Sequence, residues 1–384
     1  MNRDSLLTPN RRGTDSVKWG LYGEDVLALW VADTDFQSPP AVIEALQERV
    51  AHGVFGYPLH PQELRELVAA RMLERFNWRI SPKDMIFIPG VVPGFNLTCQ
   101  LLTKPGESVL VQPPVYPPIL NAAEKTGARN IHVELVRQTD GSYAVDFDAL
   151  EAAIEEDTRC LIFCNPHNPV GKVYSRQELE RLAEICLRHK LTLISDEIHS
   201  DLIFKGSQHI PIASLSDEVS KSTVTLIAPS KTFNIAGLSC AVLICTNHEL
   251  LKKIENSSHG LLGDVNLLGL TAAIAAYRDG SGWLEHMMEV LEGNRDFTFD
   301  FIEKRLPQIK MHSPDATYLA WLDCRELALE ESPYKFFLKK AKVALNCGDD
   351  FGDCGKGFVR LNFGCSRELL TEALEKMEKA IRER

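Results

Sequence analysis

Through the middle of the chain, short runs of aliphatic residues alternate with stretches whose apolar side chains recur every three or four positions. The runs are SVLV (108–111), RCLIFC (159–164), LTLIS (191–195), TVTLIA (223–228) and CAVLIC (240–245). Each is short and nearly all apolar, the pattern of a strand covered on both faces. Between two of them, SRQELERLAEICLRHK (175–190) places Leu179, Leu182, Ala183 and Cys186 on one helical face. Ser175 with Glu178 three residues later forms a capping box at its start. Strands alternating with helices in this way predict an α/β fold with a mostly parallel sheet. From about residue 283 the texture changes. The stretch WLEHMMEVLEGNRDFTFDFIEKRL reads as one long helix, TYLAWLDC and GFVRLNFG as strands, and SRELLTEALEKMEKAIRER as an amphipathic helix. That is the pattern of a smaller α+β domain. The first 40 or so residues carry little regular pattern.

Length and composition narrow the function classes. A chain of 384 residues, at roughly 100–200 per domain, is expected to form two domains. The net charge of −11 and scattered basic residues, clustered only at Arg11-Arg12, argue against a nucleic-acid partner. The ten cysteines form no C-x-x-C pair and no zinc pattern. Cys160, Cys164, Cys240 and Cys245 fall in apolar runs, where a thiol acts as a small hydrophobe. The opening MNRDSLLTPNRRGTDS lacks the apolar segment of a signal peptide, and no run approaches the ~18 apolar residues of a membrane span. A cytoplasmic protein with no membrane partner is expected.

Several familiar chemical signatures are missing: the P-loop, G-x-G-x-x-G after a strand, G-x-S-x-G and H-E-x-x-H. What stands out is position. Three of the buried runs lead directly into a distinctive polar group: RCLIFC into NPHNPVGK with Asn168, LTLIS into Asp196, and TVTLIA into APSKTFNIAGL with Lys231. In an open parallel sheet, ligands bind outside the carboxyl ends of the strands. Each residue alone has an ordinary reading: Asn168 as a turn residue before proline, Asp196 as a helix cap, Lys231 as a solvated loop amine. Together they bring an amide, a carboxylate and an amine to one crevice.

These segments, NPHNPVGK, SDEIHSDL, APSKTFNIAGL and FVRLNFG, resemble the marks of fold-type-I pyridoxal-phosphate enzymes of the class I/II aminotransferase superfamily. KWG near the start, WVADTDFQSPPAVIEAL, HGVFGYP, PGVVPGFN, QPPVYPPI and ATYLAWLDCREL extend the likeness over nearly the whole chain. The combination resembles the cystathionine β-lyase and cystalysin-like branch, the carbon–sulfur lyases that act on S-substituted cysteines. The resemblance implies a PLP-dependent transferase-like fold: a large cofactor-binding domain over 45–280, and a small domain made of 1–44 and 281–384.

It also implies roles. Lys231 would anchor pyridoxal 5'-phosphate covalently and move the substrate's α-proton. Asp196 would keep the pyridine nitrogen protonated, and Asn168 would donate to the ring's phenolate oxygen. His199 stands where many relatives carry a tyrosine facing that oxygen; a satisfied core histidine is the rival reading. Gly90, Val91 and Val92, ahead of a helical stretch, and Ser230 would hold the phosphate. Tyr116 would stack on the ring, or else pack in a proline-rich turn. Tyr57 would reach a neighbouring subunit's phosphate and lysine, which implies a homodimer with shared active sites. Arg360 would bind the α-carboxylate of an amino-acid substrate, the alternative being a surface arginine, and Asp35 would border the entrance. Ala228 and Ser239 depart from aminotransferase patterns, where a serine and a phosphate-binding arginine are frequent. The expected reaction is α,β-elimination from cystathionine, cystine or another S-substituted cysteine; aminotransfer is the alternative. A regulatory or binding protein on this scaffold is a third, although no DNA-binding extension is visible.

Overall fold

The computed structural model describes residues 6–384. Seven strands form the main sheet: β1 (Met85–Ile88), β2 (Ser108–Val111), β3 (Arg129–His132), β4 (Thr158–Cys164), β5 (Thr192–Asp196), β6 (Thr223–Ile227) and β7 (Ala241–Ile244). Their spatial order is β1-β7-β6-β5-β4-β2-β3, and only β7 runs antiparallel to its neighbours. The α/β fold with a mostly parallel sheet is therefore as the pattern predicts.

Three helices in the first half of the chain matter for the site: α1 (Pro40–His52), α2 (Gln62–Phe76) and α3 (Val91–Leu102). Four more follow: α4 (Arg176–Arg188), α5 (Leu267–Asp279), α6 (Ser281–Arg305) and α7 (Arg367–Arg382). Alternation along each strand feeds two apolar layers. Cys160, Ile162, Cys164 and Ile194 pack on the side of α3, with Phe95 and Leu97. Leu161, Phe163 and Leu193 pack on the side of α4, with Leu179, Leu182 and Cys186. Both faces of β4 and β5 are thus covered, which is why their middles, CLIFC and LI, are apolar on consecutive residues. The capping box of α4 is present as predicted: the Glu178 N–H donates to Ser175 Oγ, and the Ser175 N–H to Glu178 Oε2.

The C-terminal part holds a second, antiparallel sheet: β8 (Lys310–Met311), β9 (Leu319–Asp323), β10 (Asn346–Cys347) and β11 (Phe358–Asn362), ordered β8-β9-β11-β10. Leu284, Met287 and Leu291 of α6 and Leu370, Leu374 and Met377 of α7 share its apolar cluster. The N-terminal segment joins this part: Leu27–Ala28 pairs in parallel with Val343–Ala344, and the Asn362 N–H donates to the Leu29 carbonyl. Among the described residues, no helix is long and apolar enough to cross a membrane.

Candidate active site

β4, β5 and β6 are neighbours that end level, with Cys164 opposite Asp196 and Asp196 opposite Leu226. Lys231 lies in a single helical turn, Pro229–Thr232, that opens directly after β6. Its Nζ donates to the Ala32 carbonyl at 2.6 Å. Burial pushes its pKa down to about 8, against the opposing carboxylates of Asp33 and Asp196. An amine of that basicity is partly unprotonated near neutrality, as a nucleophile or base must be.

Asp196 is buried at the end of β5. Burial raises its carboxyl to about 7, although the Ile198 N–H donates to Oδ1 at 3.1 Å and Lys231 lends positive charge. Beside it, burial and the charges of Lys231 and Arg360 push His199 down to about 3, so its imidazole is neutral. The His199 Nδ1 is buried without a partner, and its ring meets Tyr318 edge-on at 6.0 Å. It is not the satisfied core histidine of the rival reading.

Arg360 on β11 closes the crevice from the second sheet. It is only 4% exposed, which corrects the surface-arginine alternative. Nη1 donates to Asn168 Oδ1 (2.9 Å), and Nη2 to Asn346 Oδ1 (2.6 Å) and the Trp30 carbonyl (3.1 Å). Its Nε is buried with no partner. Burial lowers the guanidinium to about 10, so it remains cationic at neutral pH. Because Asn168 accepts from Arg360 through Oδ1, its amide nitrogen is left free to donate, and it donates to no protein group among the described residues. Tyr116 is half-buried; burial raises its hydroxyl, the Asp196 charge adds to the rise and Arg360 opposes it.

The N-terminus of α3 follows Gly90 at the end of β1. The N–H groups of Val91 and Val92 belong to its first turn, where the helix supplies no acceptor. A Cβ on Gly94 would stand 2.4 Å from Ile88 Cδ1 and 2.6 Å from Leu226 Cδ2. A larger residue there would have to displace those two methyl groups, so glycine lets α3 lie close on β1 and β6, with its positive end toward the crevice. Ser230 is half-buried beside Lys231. Ala228 contributes its methyl to the apolar layer under α3, and Ser239 sits exposed in a left-handed turn with φ of 49°.

The family model for aminotransferase class I and II matches residues 24–377. Cystathionine beta-lyase PatB of Bacillus subtilis is 43% identical over 379 residues, covering 97% of this chain and 98% of that protein. Among solved structures, cystalysin from Treponema denticola, which contains a pyridoxal 5'-phosphate cofactor, superposes with a TM-score of 0.96 at 34% identity, covering 100% of both chains. A PLP-bound C-S lyase from Staphylococcus hominis gives 0.92 at 33%, covering 99% of both. The chain belongs to the aminotransferase class I and II family. Its fold is that of the fold-type-I enzymes, as the motifs imply.

The residues present fit the cofactor of these family members. Asp196 is a buried carboxylate that, among the described residues, meets no cation within salt-bridge reach, and a pyridinium N–H would supply one. The free N–H groups at the start of α3 and the Ser230 hydroxyl are donors of the kind a phosphate takes. Asn168 and His199 hold polar atoms without protein partners on the same side. Two predicted residues lie elsewhere. Asp35 is not at an entrance: its carboxylate is buried and consumed by Lys18, Arg11 and Trp19. Tyr57 is 100% exposed on a loop and touches none of the crevice residues by hydrogen bond or ring contact.

Other members of the site were not singled out in the sequence, although Trp30 and Ala32 lie in WVADTDF and Asp201 in SDEIHSDL. Asn346 reaches Arg360 because β10 pairs with β11, Asn346 standing opposite Arg360. The carbonyls of Trp30 and Ala32 act through the backbone, which sequence identity does not record. Asp201 accepts from Thr232 Oγ1 at 3.0 Å and pairs with Arg71 (2.8 Å) and Arg75 (2.9 Å) of α2. Its sequence signals are its place in SDEIHSDL and the i, i+4 spacing of the two arginines.

Proposed function

We propose that this protein is a pyridoxal 5'-phosphate-dependent carbon–sulfur β-lyase, releasing a thiol, pyruvate and ammonia from S-substituted cysteines such as cystathionine. The observation that carries the reading is the full-length 43% identity to a cystathionine β-lyase. When bound, the cofactor supplies an electron sink for the substrate's α-carbon. The protein's part is to bind, orient and move one proton. Arg360 holds the α-carboxylate, its guanidinium fixed by Asn168, Asn346 and Trp30. Lys231, with a pKa near 8, takes the α-proton from the carbon held in front of it. Asp196 would keep the cofactor's ring nitrogen protonated, Asn168 and His199 would serve its oxygen, and Tyr116 would cover the ring. Val91, Val92 and Ser230 would hold the phosphate.

The same reading divides the chain into 45–280, carrying the main sheet, and 1–44 with 281–384; the pairing of Leu27–Ala28 with Val343–Ala344 supports it. It takes the protein to be a homodimer in which Tyr57 completes the partner's site, supported by the full exposure of that ring. It places the enzyme in the cytoplasm, in keeping with ten free cysteines, most of them buried. Incubation with cystathionine and no keto acid tests the reaction: pyruvate and free thiol should appear in equal amounts. Strict dependence on an added keto acid would refute the lyase and leave an aminotransferase.

A further inference from the structure

The motifs KWG (18–20) and WVADTDF (30–36) put no side chain into this chemistry, yet the structure locks them onto each other. Lys18, 1% exposed, donates from Nζ to Asp35 Oδ2 (2.9 Å) and to the Asp33 carbonyl (3.2 Å). Its own carbonyl accepts from Trp30 Nε1 (3.0 Å). Trp19 Nε1 donates to Asp35 Oδ1 (2.8 Å), and Arg11 spans Asp33 and Asp35. On its other side the same segment turns carbonyls toward the crevice. Trp30 accepts from Arg360, and Ala32 accepts from Lys231 Nζ and from the Tyr318 hydroxyl (2.9 Å). Asn362 donates to the carbonyls of Val31 and Asp33, both at 2.6 Å, and Asn234 grips Thr34 and Phe36.

The Trp30 carbonyl and Asn346 together occupy Nη2 of Arg360, so they fix the rotation of the guanidinium about its long axis. That rotation decides which N–H groups remain for a carboxylate, and a planar fork tolerates little misalignment. A backbone segment holds such an angle only if its own position is fixed. The buried Lys18–Asp35 pair supplies that, since neither charge can leave its partner without being stranded away from water.

We propose that Lys18 and Asp35 are positioning residues that act through the 30–33 backbone on Arg360, and so set affinity for the substrate's α-carboxylate. The proposal rests on Arg360 as the carboxylate receptor. The test uses the full-length, cofactor-loaded enzyme and the variants Asp35→Asn, Trp19→Phe and Arg360→Lys. Each is assayed for kcat and KM with cystathionine and for binding of two probes without a β-leaving group, L-alanine and its carboxylate-free counterpart ethylamine, by spectral titration. Asp35→Asn should raise KM and the L-alanine Kd about tenfold, the effect of one weakened charge-assisted hydrogen bond. Ethylamine affinity, cofactor content and, within threefold, kcat should be unchanged. Trp19→Phe, which keeps the ring and removes one donor to Asp35, should show the same split at about threefold and serves if Asp35→Asn fails to fold. Equal weakening of both probes, or a fall in kcat at constant KM, would reduce the pair to a purely structural role and overturn the proposal. If Arg360→Lys leaves L-alanine binding unchanged, the receptor assignment itself fails, and the positioning role falls with it whatever Asp35→Asn shows.

Discussion

Burial sets the protonation of both Lys231 and Asp196, Asp33 opposing it at the lysine more than Asp196 does and the Ile198 N–H opposing it at the aspartate more than Lys231 does. Replacing Lys231 by Ala should lower pyruvate release by roughly 10³-fold or more, because base and covalent anchor are lost together. Circular dichroism should be unchanged, and borohydride reduction followed by mass spectrometry should find no cofactor adduct on the chain. Asp196 gives a prediction for the cofactor-free protein. Its folded pKa is about 7 against 3.8 in the open chain, so folding binds a proton that the unfolded state releases between those values. The stability this contributes is complete below pH 4 and is lost as pH rises through 7; Lys231 alters the balance only above pH 8. Asp196→Asn should therefore be more stable than the parent at pH 8, by up to ~4 kcal/mol, with no such advantage at pH 4. Denaturant unfolding at the two pH values checks it, and equal stability at pH 8 would mean that Asp196 has another cation partner. At this scale the sequence was most informative where a side chain stood at the end of a buried strand, as Asn168, Asp196 and Lys231 do. Asp35 misled because a carboxylate in a motif looks the same whether it faces substrate or a buried lysine.

Elements carry those residues into place, and most strands buried on both faces were legible, although β1, buried at all four residues, was not read. The five strands read from their apolar runs are present within a residue or two of the expected bounds. The two edge strands, β1 and β3, were not read. The first is a bare MIFI; the second, RNIH, is half solvated and carries the polar residues that an edge tolerates. The turn bearing Lys231 is too short to hold itself, and outside contacts fix it: Thr232 to Asp201, and Asn234 to the 34–36 backbone. Burial alone would raise the Asp201 carboxyl, but Arg71 and Arg75 beside it hold it below the usual range. Asp201→Ala strands the buried Arg71 and should destabilise the fold by ~3–5 kcal/mol in urea unfolding. Asp201→Asn, which can still accept from Thr232, should cost less. A loss below 1 kcal/mol for the alanine variant would show that water reaches Arg71.

At the scale of the whole molecule, what the chain leaves exposed is as informative as what it buries. Val54 (60%), Phe55 (58%), Tyr57 (100%) and Leu59 (89%) follow one another on a single loop, and Leu261 (64%) is likewise uncovered. So much consecutive apolar surface is costly for an isolated chain and is the mark of an interface. No periodicity would have revealed it, because the loop's apolar residues follow neither a helical nor a strand repeat. A second copy of the chain covering this loop would carry Tyr57 into a crevice built on the partner's Lys231. Such sharing makes an arithmetic prediction. Lys231→Ala and Tyr57→Phe should each be nearly inactive alone. When the two variants are mixed and allowed to exchange subunits, half of the dimers are mixed, and one of the two sites in each carries both native residues. Activity should therefore return to about a quarter of the parent's. Sites built within one chain would recover nothing on mixing, and a parent enzyme that sediments as a monomer while fully active would dismiss the shared site altogether.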